Sequence, residues 1–171
     1  MNIESKPVID ETGALFAGFA SAFRYPEDGN GWLSCSEFLE AFDKGTSDTA
    51  VSLNESAYVN VEASTVFEEL VRFYEHFGLR RQKGAELPDH LSVQLEFLHF
   101  LYELNHAGAS RGEDTQAVIR AQRDFIDRHL RRLLSGMQDA WTAKDLPETR
   151  ASNMLKECRE FVEAHRVTLD S

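Results

Sequence analysis

Residues 88–106 read Pro88-Asp89-His90-Leu91-Ser92-Val93-Gln94-Leu95-Glu96-Phe97-Leu98-His99-Phe100-Leu101-Tyr102-Glu103-Leu104-Asn105-His106, and this stretch decides the fold. Placed at about 100° per residue, its leucines, Val93, Phe97, Phe100 and Tyr102 sweep an arc of about 220°. A helix apolar over so wide an arc must be covered on most sides, so a central helix is predicted over 88–106. Pro88 suits its first turn because the missing N–H costs nothing there. Ser92, Glu96, His99, Glu103 and His106 form the narrow stripe left for solvent or a partner. His90, Gln94 and Asn105 fall inside the apolar arc, where an unpaired polar group costs about 1–3 kcal/mol.

Working outward, residues 115–137 form a second predicted helix that carries the same anomaly. Gln122 and His129 sit among Val118, Ile119, Phe125, Ile126, Leu130, Leu133 and Met137. Two helices that each turn a histidine and an amide inward can satisfy one another across their interface. A purely structural hydrogen-bond network is the competing reading of these residues.

The remaining apolar residues also recur at three and four, and the four prolines at 7, 26, 88 and 147 mark boundaries. The first helix is expected from Thr12 to Arg24, with Leu15, Phe16, Phe19, Ala20 and Phe23 inward, ended by Tyr25-Pro26. A turn-rich EDGNG follows, and Ser34 with Glu37 makes a capping box for a short helix through Phe42. Residues 43–60 are weakly patterned and read as loop with one helical turn. Residues 62–77 form a helix with Val66, Phe67, Leu70, Val71, Phe73, Tyr74 and Phe77 on one face, closed by Gly78 in a left-handed cap. A last helix is expected from Pro147 to Arg166. The fold class is therefore all-α, a single-domain helical bundle over residues 1–171.

Composition agrees with one globular domain. The 171 residues are 42% hydrophobic and 27% charged, which argues against disorder and fibrous repeats. The net charge of −11 repels phosphate backbones, so nucleic acid is not an expected partner. Cys35 and Cys158 lack paired spacing and read as free thiols in a reducing compartment. The N-terminal residues MNIESKPVIDET contain no apolar leader stretch, and no run reaches membrane-spanning length. The Arg80-Arg81 pair lies mid-chain with no apolar segment behind it, and reads as a charged loop.

Catalytic and metal chemistry find little support. Glu96-x-x-His99 and Glu103-x-x-His106 match the spacing used in di-iron bundles, but those sites draw one motif from each of two facing helices. Both motifs here lie on one helix, about 10 Å apart at 1.5 Å rise per residue, so no metal is expected. No G-x-S-x-G elbow, phosphate-cradling glycine loop or sequence-adjacent Cys–His pair occurs. The chain is expected to be no enzyme and to carry no cofactor.

Three blocks in order carry a family resemblance. Tyr74-x-x-Phe77-Gly78-Leu79, Glu86-x-Pro88-Asp89-His90-Leu91 and Leu95-Glu96-Phe97-Leu98 resemble the signature of the TorD/DmsD/NarJ family of molybdoenzyme assembly chaperones. Gln122-x-x-Phe125-Ile126-x-x-His129-Leu130 is similar to the family's second motif, and Phe16-x-x-Phe19-x-x-x-Phe23-x-Tyr25-Pro26 extends the likeness toward the start. The resemblance implies a cytoplasmic all-helical protein of TorD-like type. Such a protein binds the catalytic subunit of a molybdopterin oxidoreductase, often through a twin-arginine leader, and holds the apo-enzyme until its molybdenum cofactor is inserted. It implies a peptide site formed or supported by Glu86, Asp89, His90, Leu91, Gln94, Glu96, Phe97, Gln122 and His129. Glu86 and Asp89 are the expected guanidinium contacts, while His90, Gln94, Gln122 and His129 brace the helix pair from behind. Each of these residues is read equally well as structural.

The sequence also departs from the family pattern. Gln94 stands where the family commonly has glutamate, Leu133 where tryptophan often follows, and Arg132 replaces the usual proline. The chain is read as a monomer, with a segment-swapped dimer as the alternative. The alternative function is a non-catalytic subunit retained in the mature complex.

Overall fold

The computed structural model describes residues 10–27 and 31–171. The readings made on residues 1–9, and on most of the EDGNG turn, lie outside the described residues. Helices α1 (Glu11–Ala22), α2 (Cys35–Phe42), α3 (Ala63–His76), α4 (Leu91–Ser110), α5 (Gln116–Phe125), α6 (Arg131–Ala143) and α7 (Arg150–Thr168) follow one another without a β-strand among the described residues. The all-helical expectation therefore holds.

Helix α4 is the central element. Leu91, Leu95, Leu98 and Leu101 are wholly buried on it. Helix α1 packs antiparallel along it: Tyr102 donates to Asp10 at one end (2.8 Å), and Arg24 pairs with Glu96 at the other. Phe16, Phe19, Ala20 and Phe23 of α1 are buried, as expected, whereas Leu15 is 41% exposed. It lies one residue, or about 100°, off the stripe that covers α4.

Several helix ends differ from expectation, each for a local reason. Helix α1 starts at Glu11 and ends at Ala22, because the Asp10 carboxylate accepts the Thr12 N–H (3.2 Å) and fixes its entry. Helix α4 begins at Leu91 instead of Pro88. His90 caps it with a side-chain acceptor, and the Leu91 N–H turns away to the Leu53 carbonyl (2.8 Å). It continues to Ser110, past the expected end at His106, until Gly112 takes a left-handed φ of 73°. Helix α7 starts at Arg150, not Pro147, because Thr149 and Ser152 form a reciprocal capping box. Gly78, with φ 76°, closes α3 as expected.

The second helix with inward polar groups is more complex than its periodicity suggests. Between α5 and α6 runs a π turn, Ile126–Leu130, and α6 continues to Ala143. The wider turn lets Phe125, Ile126, His129 and Leu130 all face the interior.

The Ser34–Glu37 capping box is present, with Glu37 N–H to Ser34 Oγ at 3.2 Å and Ser34 N–H to Glu37 Oε2 at 2.8 Å. Ser34→Ala is expected to lower stability by about 1 kcal/mol in urea denaturation, because it orphans one helix N–H. Cys35 and Cys158 are both free thiols, the first exposed and the second buried. No helix of the described residues is long and apolar enough to cross a membrane.

Candidate peptide-binding groove

The chain leaves α3 at Gly78 and crosses residues 79–90 before entering α4, and this crossing forms one wall of an open groove. Its shape is held by its own backbone. Arg81 donates from Nε to the Glu86 carbonyl (3.1 Å) and from Nη2 to the Ala85 carbonyl (2.6 Å), closing the loop on itself. Tyr74 donates to the Pro88 carbonyl (2.7 Å), tying the loop's far end to α3. Burial pushes the Tyr74 hydroxyl's pKa up, with the Glu55 and Asp89 charges acting the same way, so it stays a donor.

The groove between α3, this loop and α4 has a volume of about 830 Å³. Val71, Leu79, Ala85, Val93 and Phe100 supply apolar lining, and Phe97 packs edge-on to Tyr74 (4.8 Å between ring centres) beneath it. Glu75, Glu86 and Glu96 line it together with Arg24, Arg80 and Arg81, so its charge is mixed and not purely acidic. Glu96 is paired with Arg24, and Arg81 is occupied by the loop carbonyls.

Behind the groove lies a buried polar cluster centred on Glu55, a residue that sequence patterning did not single out. Glu55 opens a 3₁₀ turn, Glu55–Tyr58, and is wholly buried. Its carboxylate accepts from Gln94 Nε2 (2.7 Å) and Arg132 Nε (2.8 Å), with the His129 ring nitrogen Nδ1 at 3.1 Å. Burial pushes its pKa up, but hydrogen bonds and charge from His129 and Arg132 more than offset this and hold it below the usual carboxylate value. The inward Gln94 and His129 are thus joined through a third group instead of directly. The π turn aims His129 at that group, and Phe73 packs edge-on to its ring (5.5 Å).

Asp89 is the second buried carboxylate. It accepts from Asn54 Nδ2 (2.9 Å), Ser56 N–H (2.9 Å) and Ser56 Oγ (2.6 Å), while its carbonyl receives the Glu55 N–H (3.0 Å). Segment 53–56 is therefore strapped onto residues 89–91, with Asn54 and His90 forming an isolated β-bridge. Both Asp89 oxygens are engaged and the residue is fully buried, so the expected guanidinium contact there is not available to the folded chain.

Of the other expected site residues, Glu86, Glu96 and Phe97 line the groove. His90 lies just behind it, its Nδ1 accepting the Ser92 N–H (3.2 Å). Burial lowers the His90 pKa against the pull of Glu86 and Asp89, and Arg24 lowers it further. Leu91 is core. Ser92, assigned to the exposed stripe, is wholly buried beside His90, whereas Leu104 is 36% exposed. Gln122 stands apart, its Oε1 against His165 Nε2 on α7 (2.9 Å). No cluster of three or more potential metal ligands occurs among the described residues.

His165 yields a pH prediction. Burial lowers its pKa to about 4 from an ordinary 6.5. Between those values the unfolded chain binds the extra proton, so stability is full above pH 6.5 and is lost as pH falls toward 4. His90 acts in the same direction. The unfolding free energy from urea denaturation is expected to drop across this window, by at most about 3 kcal/mol from His165, and His165→Gln is expected to flatten the profile. An unchanged profile in that variant contradicts the assignment.

The fold and groove define a class: an all-helical bundle with a charged, half-apolar groove at the entry to its central helix. The chain belongs to the nitrate reductase delta subunit family, whose model matches residues 10–139, and so to the TorD/DmsD/NarJ grouping that its motifs resemble. It is 33% identical to the selenate reductase assembly chaperone protein of Thauera selenatis, over 95% of this chain and 93% of that one. It is 31% identical to the chlorate reductase assembly chaperone protein of Ideonella dechloratans, again over 95% and 93%. A perchlorate reductase assembly chaperone protein of Dechloromonas aromatica is 37% identical over 54% of this chain and 42% of its own.

Proposed function

We propose that this chain is a cytoplasmic assembly chaperone, not an enzyme, for the catalytic subunit of a molybdenum oxidoreductase. It binds the N-terminal leader of the apo-subunit in the groove between α3 and α4 and keeps the subunit able to accept its cofactor before export or assembly. The observation that carries this reading is that Glu86, Glu96 and Phe97, from two separated family motifs, line a single groove. Relatives matched over nearly their whole length bear the names of reductase assembly chaperones.

The groove's chemistry suits an extended segment with basic and apolar residues. Val71, Leu79, Val93 and Phe100 offer apolar contact, and the exposed Glu86 carboxylate, in no hydrogen bond or salt bridge among the described residues, offers a bidentate seat for a guanidinium. A twin-arginine leader has that composition. The net charge of −11 favours its approach. The strap at 53–56 and the Glu55 cluster hold the α4 entry rigid, so the groove wall is formed before the ligand arrives.

Isothermal titration with the leader peptide of a co-expressed molybdenum enzyme is expected to give one-to-one binding to a monomer at roughly micromolar affinity. Absence of heat with every such leader sinks the reading. The family's description as a delta subunit supports a second reading, a subunit retained in the mature complex. Recovery of this chain at one-to-one stoichiometry in active purified enzyme favours that alternative.

A further inference from the structure

Resting on the leader-binding reading, the charges at one end of the groove specify how it discriminates among ligands. Arg24 lies two residues past the end of α1, just before Tyr25-Pro26, and its guanidinium is paired with Glu96 of α4. Both side chains are about half exposed, 53% and 42%, and both line the groove. Arg81 is committed to the carbonyls of Ala85 and Glu86. The exposed Glu86 carboxylate makes no hydrogen bond or salt bridge among the described residues, and only its charge acts on a neighbour, His90. The Arg24 and Glu86 charges both reach His90, so the cation and both carboxylates gather at the α4 entry.

We propose that Arg24 is a resident surrogate: it holds the seat at Glu96 that a guanidinium of the bound leader takes, and binding exchanges one arginine for the other. The exchange makes Arg24 a specificity-determining residue. Any ligand that displaces Arg24 must supply its own cation or leave Glu96 covered and unpaired, which penalises apolar segments lacking arginine. An arginine-bearing segment recovers the pair, and Glu86 accepts a second guanidinium without displacing anything. The groove therefore selects paired arginines through one exchanged seat and one open seat.

The test is fluorescence anisotropy with a labelled synthetic peptide carrying two adjacent arginines followed by an apolar stretch, and a second peptide with both arginines replaced by glutamine. The proteins are wild type, Arg24→Ala, Glu96→Gln, the double variant, and Lys83→Ala as a control for the loss of one positive charge. Circular dichroism verifies that all are folded. Arg24→Ala is expected to tighten binding of the arginine peptide by about three- to fivefold, the range an exposed ion pair returns when released. Lys83→Ala gives a smaller gain, and the Arg24→Ala gain disappears in the Glu96→Gln background. An Arg24→Ala gain that matches Lys83→Ala, persists without Glu96, or is replaced by weaker binding overturns the exchange while leaving leader binding standing. Failure of the arginine peptide to bind wild type and every variant overturns the leader reading and this proposal with it.

Discussion

Glu55→Ala is expected to destabilise the protein by about 3–5 kcal/mol, the cost of leaving buried charged and polar partners without their counterpart. Three side chains lose their acceptor at once: Gln94, His129 and Arg132. Arg132 is 39% exposed and can turn to water, but His129 and Gln94 are wholly buried. Glu55→Gln keeps the shape and one acceptor and should lose less. The pH dependence follows from the depressed pKa of Glu55 in the fold. Its contribution is present above the ordinary carboxylate pKa and is lost as pH falls below it, so the gap between wild type and Glu55→Ala should narrow in acid. Urea denaturation across pH measures both effects. A loss under about 1 kcal/mol at pH 7 would mean that the cluster is not a unit.

Glu86→Lys is expected to weaken leader binding by at least about tenfold, since it replaces an attractive carboxylate with a like charge against the incoming arginines. Glu86 is exposed on the loop and its carboxylate makes no hydrogen bond or salt bridge among the described residues, only a charge interaction with His90, so the urea midpoint should change little. Glu86→Gln removes attraction without adding repulsion and should fall between. Titration calorimetry and denaturation on the same preparations separate the two properties. Equal affinity in wild type and Glu86→Lys would place the leader elsewhere on the surface.

Much of the fold was legible because its determinants are local. The Ser34–Glu37 box and the left-handed Gly78 follow from residue chemistry within a few positions. The breadth of the apolar arc on α4 correctly placed that helix at the centre. Leu15, Ser92 and Leu104 went to the wrong side because a helical projection locates a residue's angle, while its burial depends on which neighbours cover that angle. The π turn, Ile126–Leu130, has no periodic signature over five residues.

The site was half legible for a similar reason. Inward polar residues on two helices announced a shared network, but its centre came from a segment with no pattern. Glu55 lies 39 residues from Gln94 and 74 from His129. The one available signal was arithmetic of donors: Gln94 and His129 can both donate, which calls for an acceptor between them. Arg132 supplies a third donor to that acceptor. Asp89 was read as a ligand contact from its place in the resembled motif; its partners Asn54 and Ser56, which occupy it, are distant in sequence.

The most direct test of the chaperone function is co-purification. The tagged chain is recovered from cells that co-express a molybdenum reductase catalytic subunit, and the captured subunit is assayed for molybdenum and activity. The expected result is a catalytic subunit poor in cofactor, retained by wild type and lost from Glu86→Lys. Capture of a fully loaded, active complex, equally retained by Glu86→Lys, would contradict assembly chaperoning through the groove and make this chain a resident subunit of the mature enzyme.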